Sequence, residues 1–328
     1  MKVLVTGATG FIGRHLVKKL ADQGYSVHTL YRSENKNYGM EHPDISFFRG
    51  DVTDIDSLMK AMKDCECVFH LAAYAKAWAK QKQTYEIINY QGTVNMLEAA
   101  IKQHVKKIVV TSTAGVFGPS QNNKPVDESS KRRFPYFTEY ERTKDLADKI
   151  VIAKYSGKID VSIVCPTRVF GSGELTESNS VTKLIGLFIR GKFGILPGNG
   201  QHIGNYVFVE DVVNGLLLAM KKGRTGERYI LGGENLSYSD FFSRISDLTG
   251  KRYPMIKIPV FMIIFLASMM KLLAVIFGLP PVLTPEWARK YLYDWYLSDK
   301  KARKELGYQP QSLNEGLAKT ISWIRNNQ

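Results

Sequence analysis

The apolar, β-branched run Lys2–Thr6 passes straight into Thr6-Gly7-Ala8-Thr9-Gly10-Phe11-Ile12-Gly13 and then into the helix-period segment Arg14–Leu20. Three glycines between a strand and a helix, at this spacing, leave few folds open. A diphosphate bound at a helix start needs backbone N–H groups and no side chains in the way. Gly7 allows the tight turn, Gly10 lets the backbone approach the phosphates, and Gly13 lets the helix pack on the strand. Thr9, Phe11, Ile12 and Arg14 belong to the same expected cradle. A tight turn without a ligand is the alternative.

The chain beyond this loop keeps the same rhythm. Runs over Val3–Thr6, Ser26–Tyr31, Ile45–Phe48, Cys67–Leu71, Ile108–Ser112 and Val161–Cys165 read as strands. Between them Phe11–Ala21, Asp54–Met62, Thr84–Gln103 and Glu139–Lys154 carry helical periodicity. The strands alternate little, as expected when both faces are covered. Strand-helix alternation predicts a parallel sheet with right-handed crossovers, a doubly wound α/β Rossmann fold, over residues 1–165. Past Pro166, glycine-rich loops give way to strands at Tyr206–Val209 and Arg228–Leu231 around a helix at Val212–Lys222. Residues 204–233 are expected to return to the first domain. Residues 166–203 and 234–328, mostly helical, form a smaller substrate-binding region.

Lysine and arginine outnumber aspartate and glutamate by 45 to 31, a net charge of +14. Such a chain attracts polyanions. Its cations are scattered, including Lys131-Arg132-Arg133, with no basic helical stripe and no RNA-binding aromatic motif, so nucleic acid is not an expected partner. Three cysteines (Cys65, Cys67, Cys165) are too few for a disulfide framework, and Cys65-Glu66-Cys67 lacks the spacing of a zinc knuckle. No metal site is expected. The apolar run beginning at residue 2 leaves no room for a signal peptide, which points to the cytosol.

Residues 258–277 are apolar over a length that could span a bilayer. Lys271 lies inside the run, at a cost of ~2.5–3.5 kcal/mol near a membrane centre. Pro259 and Gly278-Leu279-Pro280-Pro281 punctuate the segment as they would an ordinary helix. The leading expectation is a buried or substrate-lining helix. Contact with a membrane surface, making the protein peripheral to the bilayer, is the second, and a true membrane span is the third.

The G-x-x-G-x-x-G spacing is similar to that of the short-chain dehydrogenase/reductase family, in its extended branch. Gly50-Asp51-Val52 resembles the family's adenine contact, which implies that the Asp51 carboxylate accepts from the exocyclic amine. His70-Leu71-Ala72-Ala73 resembles its cofactor-flanking turn, and Asn89-Tyr90-Gln91-Gly92-Thr93 its N-x-x-G-T signature. Cys165-Pro166-Thr167-Arg168-Val169-Phe170-Gly171 is similar to the R-P-x-x-V-Y-G turn over the nicotinamide. Together these motifs look most like the dihydroflavonol-4-reductase-like group, with its bacterial hopanoid-associated sugar epimerase relatives, and the 3β-hydroxysteroid dehydrogenases are near. His70 itself reads as a core histidine. At the end of the second strand an acid would select NAD, whereas a base accommodates the 2′-phosphate of NADP. Here Thr29-Leu30-Tyr31-Arg32-Ser33 carries no acid before Glu34. Arg32 can grip a phosphate bidentately, with Arg14 and Ser33 as helpers. NADP(H) is therefore expected over NAD.

Tyr140-Glu141-Arg142-Thr143-Lys144 falls at the start of a helix, where positions i and i+4 share a face. A nearby Lys144 ammonium would lower the Tyr140 phenol by about 1–3 pH units, and Lys144 can reach the nicotinamide ribose. Val110-Thr111-Ser112-Thr113-Ala114-Gly115-Val116-Phe117-Gly118 resembles the family's S-S-x-x-x-Y-G segment, which places Thr113, in preference to Ser112, on the hydroxyl position. The resemblance implies hydride transfer with Thr113, Tyr140 and Lys144 as the catalytic set. Nucleotide-sugar members usually carry an arginine where this chain has Gly204-Asn205-Tyr206, though Arg190, Lys192 or Arg289 could substitute. The apolar 258–277 segment and Trp78, Phe134, Tyr136, Phe137, Trp287 and Trp295 favour a hydrophobic substrate. The leading expectation is an NADP(H)-dependent reductase of a hydrophobic ketone or aldehyde. The alternatives are a nucleotide-sugar epimerase or dehydratase with retained NAD and a non-catalytic NADP-binding protein. A homodimer through helices 84–103 and 139–154 is implied by the resemblance alone.

Overall fold

The computed structural model describes residues 1–32 and 40–327. In chain order, β1 (Lys2–Thr6), α1 (Phe11–Asp22), β2 (Ser26–Tyr31), β3 (Ile45–Arg49), α2 (Ile55–Met62) and β4 (Cys67–His70) come first. A short α3 (Gln83–Tyr85) passes through a widened π-type stretch into α4 (Gly92–Lys102), followed by β5 (Lys107–Thr111), α5 (Glu139–Ile150) and β6 (Asp160–Pro166). The second half contributes β7 (Arg168–Phe170), α6 (Ser180–Ile189), β8 (Ile195–Pro197), β9 (Ile203–Phe208), α7 (Val209–Lys222) and β10 (Arg228–Leu231). It ends with β11 (Glu234–Ser237), α8 (Tyr238–Thr249), β12 (Ile256–Ile258), α9 (Val260–Phe277), α10 (Pro285–Arg289) and α11 (Leu313–Asn327).

Seven strands form a parallel sheet ordered β10-β6-β5-β4-β1-β2-β3. The two-residue period of each strand fills a core on either face. Val68, Ile108 and Ile163 pack with Leu58 of α2 and Met96 of α4, whereas Val5, Phe69 and Val109 pack with Leu16 of α1 and Leu216 of α7. The order reverses between β1 and β4, where a doubly wound sheet opens a crevice at its carboxyl ends.

The segment 204–233 divides between the two regions. β10 joins the sheet beside β6, but β9 pairs with β7 and β11 in a separate three-stranded sheet. The side chains explain the split. Val207 reaches the main core, while its neighbours Tyr206 and Phe208 point into a third core with Ile185 and Phe188 of α6, Phe241 of α8 and Leu317 of α11.

The segment 258–277 corrects the expectation of a buried helix. It forms α9 almost to the residue, yet only Val260, Ala267 and Ala274 are buried. Phe261, Phe265, Val275 and Phe277 are each more than 60% exposed (72%, 64%, 70% and 67%). α6, α8, α11 and β9 pack into one core, and among the described residues α9 packs chiefly on the short α10.

Candidate active site

The loop after β1 and the turn after β4 meet in the crevice. Gly7 adopts φ 69°, and a Cβ there would come within 2.6 Å of the Ala72 nitrogen and Leu71 carbonyl carbon. A Cβ on Gly13 would stand 2.1 Å from the Gly7 carbonyl oxygen. The Gly10 N–H donates to that same oxygen at 3.0 Å. Gly10 precedes α1 without a capping side chain, and no acid occupies the first turn. The positive end of α1 is thus left to an external anion. Ala72 N–H donates to Thr6 Oγ1 at 3.3 Å, which fixes Leu71, Ala72 and Ala73 as the facing wall. Phe11 turns its ring into the small region's core, with Ile12 packed against it, so the backbone of these two residues is what faces the crevice.

The basic helpers are arranged differently from the sequence expectation. Arg14 Nε donates to the Thr9 carbonyl at 3.1 Å, and its guanidinium pairs with Glu174 at 3.1 Å. The loop carrying Glu174 folds over α1, where the Ser172 carbonyl lies 2.8 Å from His15 Nε2. Arg14 is therefore engaged by protein and does not stand free for a 2′-phosphate. Ser33 lies outside the described residues. Arg32 is exposed at the end of β2, 3.5 Å from Asp51 Oδ2, while Asp51 Oδ1 accepts from the Thr53 N–H and hydroxyl, both at 2.9 Å. Val52 is buried against Gly92, with its carbonyl accepting from Asn95 Nδ2 at 3.0 Å.

Asn89 and His70 hold the wall from behind. Asn89 is fully buried, and its amide oxygen accepts from Tyr74 N–H at 2.7 Å while its nitrogen donates to Thr143 Oγ1 at 3.0 Å. Its polar atoms serve the protein, so it positions α5 where the sequence suggested a cofactor contact. His70 bridges Thr6 Oγ1 (2.8 Å) and Thr93 Oγ1 (3.1 Å). Burial, then the Lys144 charge, depresses its ring to about 3 from 6.5. It is a neutral core histidine, as its sequence context implied.

Thr138 caps α5 by accepting from Glu141 N–H, and Glu139 and Glu141 occupy the first turn. Tyr140, Lys144 and Asp148 follow at four-residue steps along one face. Lys144 is buried, and its Nζ has no hydrogen-bond partner among the described residues. Loss of solvent pulls the ammonium below its usual range, with Asp148 and Cys165 opposing. Burial pushes Asp148 up to about 6 against the Lys144 charge and a 2.6 Å bond donated by Ser112 Oγ. Ser112 is thereby committed to α5. Thr113 starts the following turn half-buried, with its hydroxyl accepting from Gly115 N–H at 3.2 Å. The Tyr140 phenol sits above its ordinary range, raised by desolvation first and then by Asp148, Glu141 and Cys165. This reverses the expected lowering by Lys144. The Lys144 charge does not outweigh burial and the two nearby carboxylates.

Three residues that local sequence marks as ordinary surface form a charged knot beside Tyr140. Arg132 turns inward from the Lys131–Arg133 run and donates to the carbonyls of Gly115 (2.6 Å), Phe134 (2.8 Å) and Pro135 (2.9 Å). It also meets Glu141 Oε2 at 3.0 Å, while Lys290 reaches Glu141 Oε1 at 2.6 Å from the other side. The knot ties the Thr113 turn to the first turn of α5. Lys290 lies 4.6 Å over both Trp287 and Trp295, and Phe134 and Phe137 pack edge-on or tilted against Tyr293. Phe134, Phe137, Trp287 and Trp295 thus join one aromatic wall. Trp78 stands apart, its carbonyl accepting from the Tyr74 hydroxyl at 3.1 Å. Arg168, also missed, lies over the Tyr206 and Tyr238 rings and donates to the Tyr238 hydroxyl at 2.8 Å. Its guanidinium fills the space beside Gly204, where an added Cβ would stand 2.7 Å from it.

Glycines that tolerate no Cβ, an uncapped helix start and a buried lysine whose Nζ lacks a hydrogen-bond partner among the described residues fit a nicotinamide dinucleotide lying along the crevice. Comparison with known proteins agrees. A Synechocystis protein that carries a dihydroflavonol 4-reductase name is 29% identical, covering 98% of this chain and 94% of its own length. The Mus musculus sterol-4-alpha-carboxylate 3-dehydrogenase (decarboxylating) is 28% identical over 98% of this chain and 90% of its own. Among solved structures, the UDP-glucose 4-epimerase of Thermotoga maritima superposes with a TM-score of 0.81 at 25% identity, covering 99% of each chain. Residues 3–232 match the NAD dependent epimerase/dehydratase family. The chain belongs to that family, the extended short-chain dehydrogenase/reductases, and is an enzyme.

Proposed function

We propose that this enzyme is an NADP(H)-dependent oxidoreductase that reduces a ketone or aldehyde of a hydrophobic small molecule, or oxidises the corresponding alcohol. The observation that carries the reading is the buried Lys144 ammonium, one helical turn from Tyr140 and without a hydrogen-bond partner among the described residues. Burying such a group is costly unless a partner arrives, and ribose hydroxyls of a bound dinucleotide are suited to accept from it. When bound, the nicotinamide supplies hydride for the carbonyl carbon. Tyr140, kept protonated by its raised pKa, donates its phenolic proton to the oxygen that gains charge. Thr113, free of the Asp148 bond that occupies Ser112, stabilises the same oxygen with a hydrogen bond. Arg32 at the end of β2 receives the 2′-phosphate, with Asp51 beside it for the adenine.

The aromatic wall, together with a relative named for sterol carboxylate dehydrogenation, supports an apolar substrate. A nucleotide-sugar substrate fits less well, because Arg168 is held under two tyrosines beside Gly204. Exposed Ile87 and Ile152, on the helical stretches 83–102 and 139–155, support a homodimer through those stretches. The test is NADPH oxidation across a panel of apolar carbonyls with wild type and Tyr140→Phe. The substitution should lower kcat by roughly 10²–10⁴-fold and leave NADPH binding intact. Tightly copurified NAD⁺ with no net NADPH consumption would instead assign an epimerase or dehydratase.

A further inference from the structure

The most exposed apolar surface of the protein is α9 with the turn that follows it. Eighteen residues make a helix about 27 Å long. Side chains such as Phe261, Phe265, Leu272, Ile276 and Phe277 are each at least half exposed, and Leu279 and Val282 continue the patch at 70% and 88%. A patch of this extent marks an interaction surface, since soluble monomers rarely expose one. Three features decide its partner.

The first is charge. Between Asp247 and Glu286 the sequence has no carboxylate, while it carries Lys251, Arg252, Lys257 and Lys271. Lys251, Arg252 and Lys257 are exposed just before the helix. Apolar residues flanked by unbalanced cations suit a surface that is hydrocarbon within and anionic at its edge. A second copy of this chain would bring another set of cations and no carboxylate from this segment to receive them. The second is attachment. Ala267 and Ala274 are buried where α9 meets α10, and Lys271 is ion-paired with Glu286 of α10 midway along the helix. A transmembrane span would have to break that pair and place the lysine in hydrocarbon, whereas a helix lying along the interface keeps it. The third is position. α10 leads directly to Lys290, whose ammonium touches Glu141 beside Tyr140.

We infer that α9 and the turn after it dock the enzyme on the surface of an anionic phospholipid bilayer, with the helix lying in the interface and the catalytic crevice above it. The test adds purified protein to preformed vesicles of phosphatidylcholine, alone or mixed with phosphatidylglycerol, and reads the fraction that floats with lipid. Wild type should float with the mixed vesicles and less with phosphatidylcholine alone. The triple variant Phe261→Ser, Phe265→Ser, Ile276→Ser should need roughly tenfold more lipid or greater for half-binding, with its thermal unfolding unchanged. Arg252→Glu with Lys257→Glu should remove the preference for the anionic vesicles. No flotation of wild type, or equal flotation of the serine variant, would overturn the inference. So would a dimer that the serine substitutions dissociate, because a second copy would then cover the helix. Protein that resists extraction from membranes by alkaline carbonate would make α9 a span and overturn it equally. Flotation requires no turnover, so the result stands apart from the oxidoreductase reading.

Discussion

At the scale of single residues, burial governs the chemistry of this site more strongly than proximity does. Tyr140 and Lys144 share a helical face as the spacing requires, yet desolvation lifts the phenol and lowers the ammonium. Cofactor-free enzyme therefore holds Tyr140 as a proton donor. His70 offers a direct check on the burial argument. Its folded-state pKa of about 3 lies below the ordinary 6.5, so the unfolded chain takes up a proton that the folded chain refuses. Its contribution to stability is complete above pH 6.5 and declines as the pH falls toward 3, by up to ~1.4 kcal/mol per pH unit. Urea unfolding at pH 7 and pH 4.5 should show a steeper loss for wild type than for His70→Gln. Equal slopes would mean that the imidazole titrates normally. The spacing to Gly118 pointed to Thr113, and what the structure adds is that Ser112 is held by Asp148, a carboxylate 36 residues away.

At the scale of elements, α5 and the turn after β5 are locked together by Arg132, Glu141 and Lys290. Glu141 is 1% exposed and held between two cations. Removing one partner of a buried ion pair leaves charge uncompensated and costs about 3–5 kcal/mol. Arg132→Met should lower the urea midpoint accordingly and reduce kcat along with stability, because the Thr113 turn loses its tie to Tyr140. A loss below about 1 kcal/mol would show that Lys290 alone satisfies Glu141. No local pattern pointed to this knot. Lys131-Arg132-Arg133 reads as a solvated run, and its middle member turns inward only because carbonyls from Gly115 to Pro135 converge on it. α9 shows the opposite case. Its helix was evident from composition, but the burial expected of so apolar a segment depends on a complementary face, and among the described residues α9 packs chiefly on the short α10.

At the scale of the whole molecule, the crevice is roofed from both halves. The loop of β1 and the turn after β4 come from the sheet, and Glu174 reaches over from the small region to Arg14. A ligand that bridges these parts binds the folded state only. NADPH at about a hundred times its Kd should stabilise the protein by ~2.7 kcal/mol, read as a rise in Tm. Arg32→Ala should shrink that rise for NADPH and leave the smaller rise with NADH unchanged; an equal loss for both would remove Arg32 from the 2′-phosphate site. Sequence by itself determined the doubly wound sheet, the glycine loop and the Tyr140–Lys144 spacing, because strand and helix periods, glycine turns and four-residue steps are local and repeat in the chain. Only the tertiary structure decided which side chains are free. The pairing of Arg14 with Glu174, the seat of Arg168 beside Gly204 and the bare flank of α9 arise from contacts between segments far apart in sequence, whose meeting no local pattern encodes.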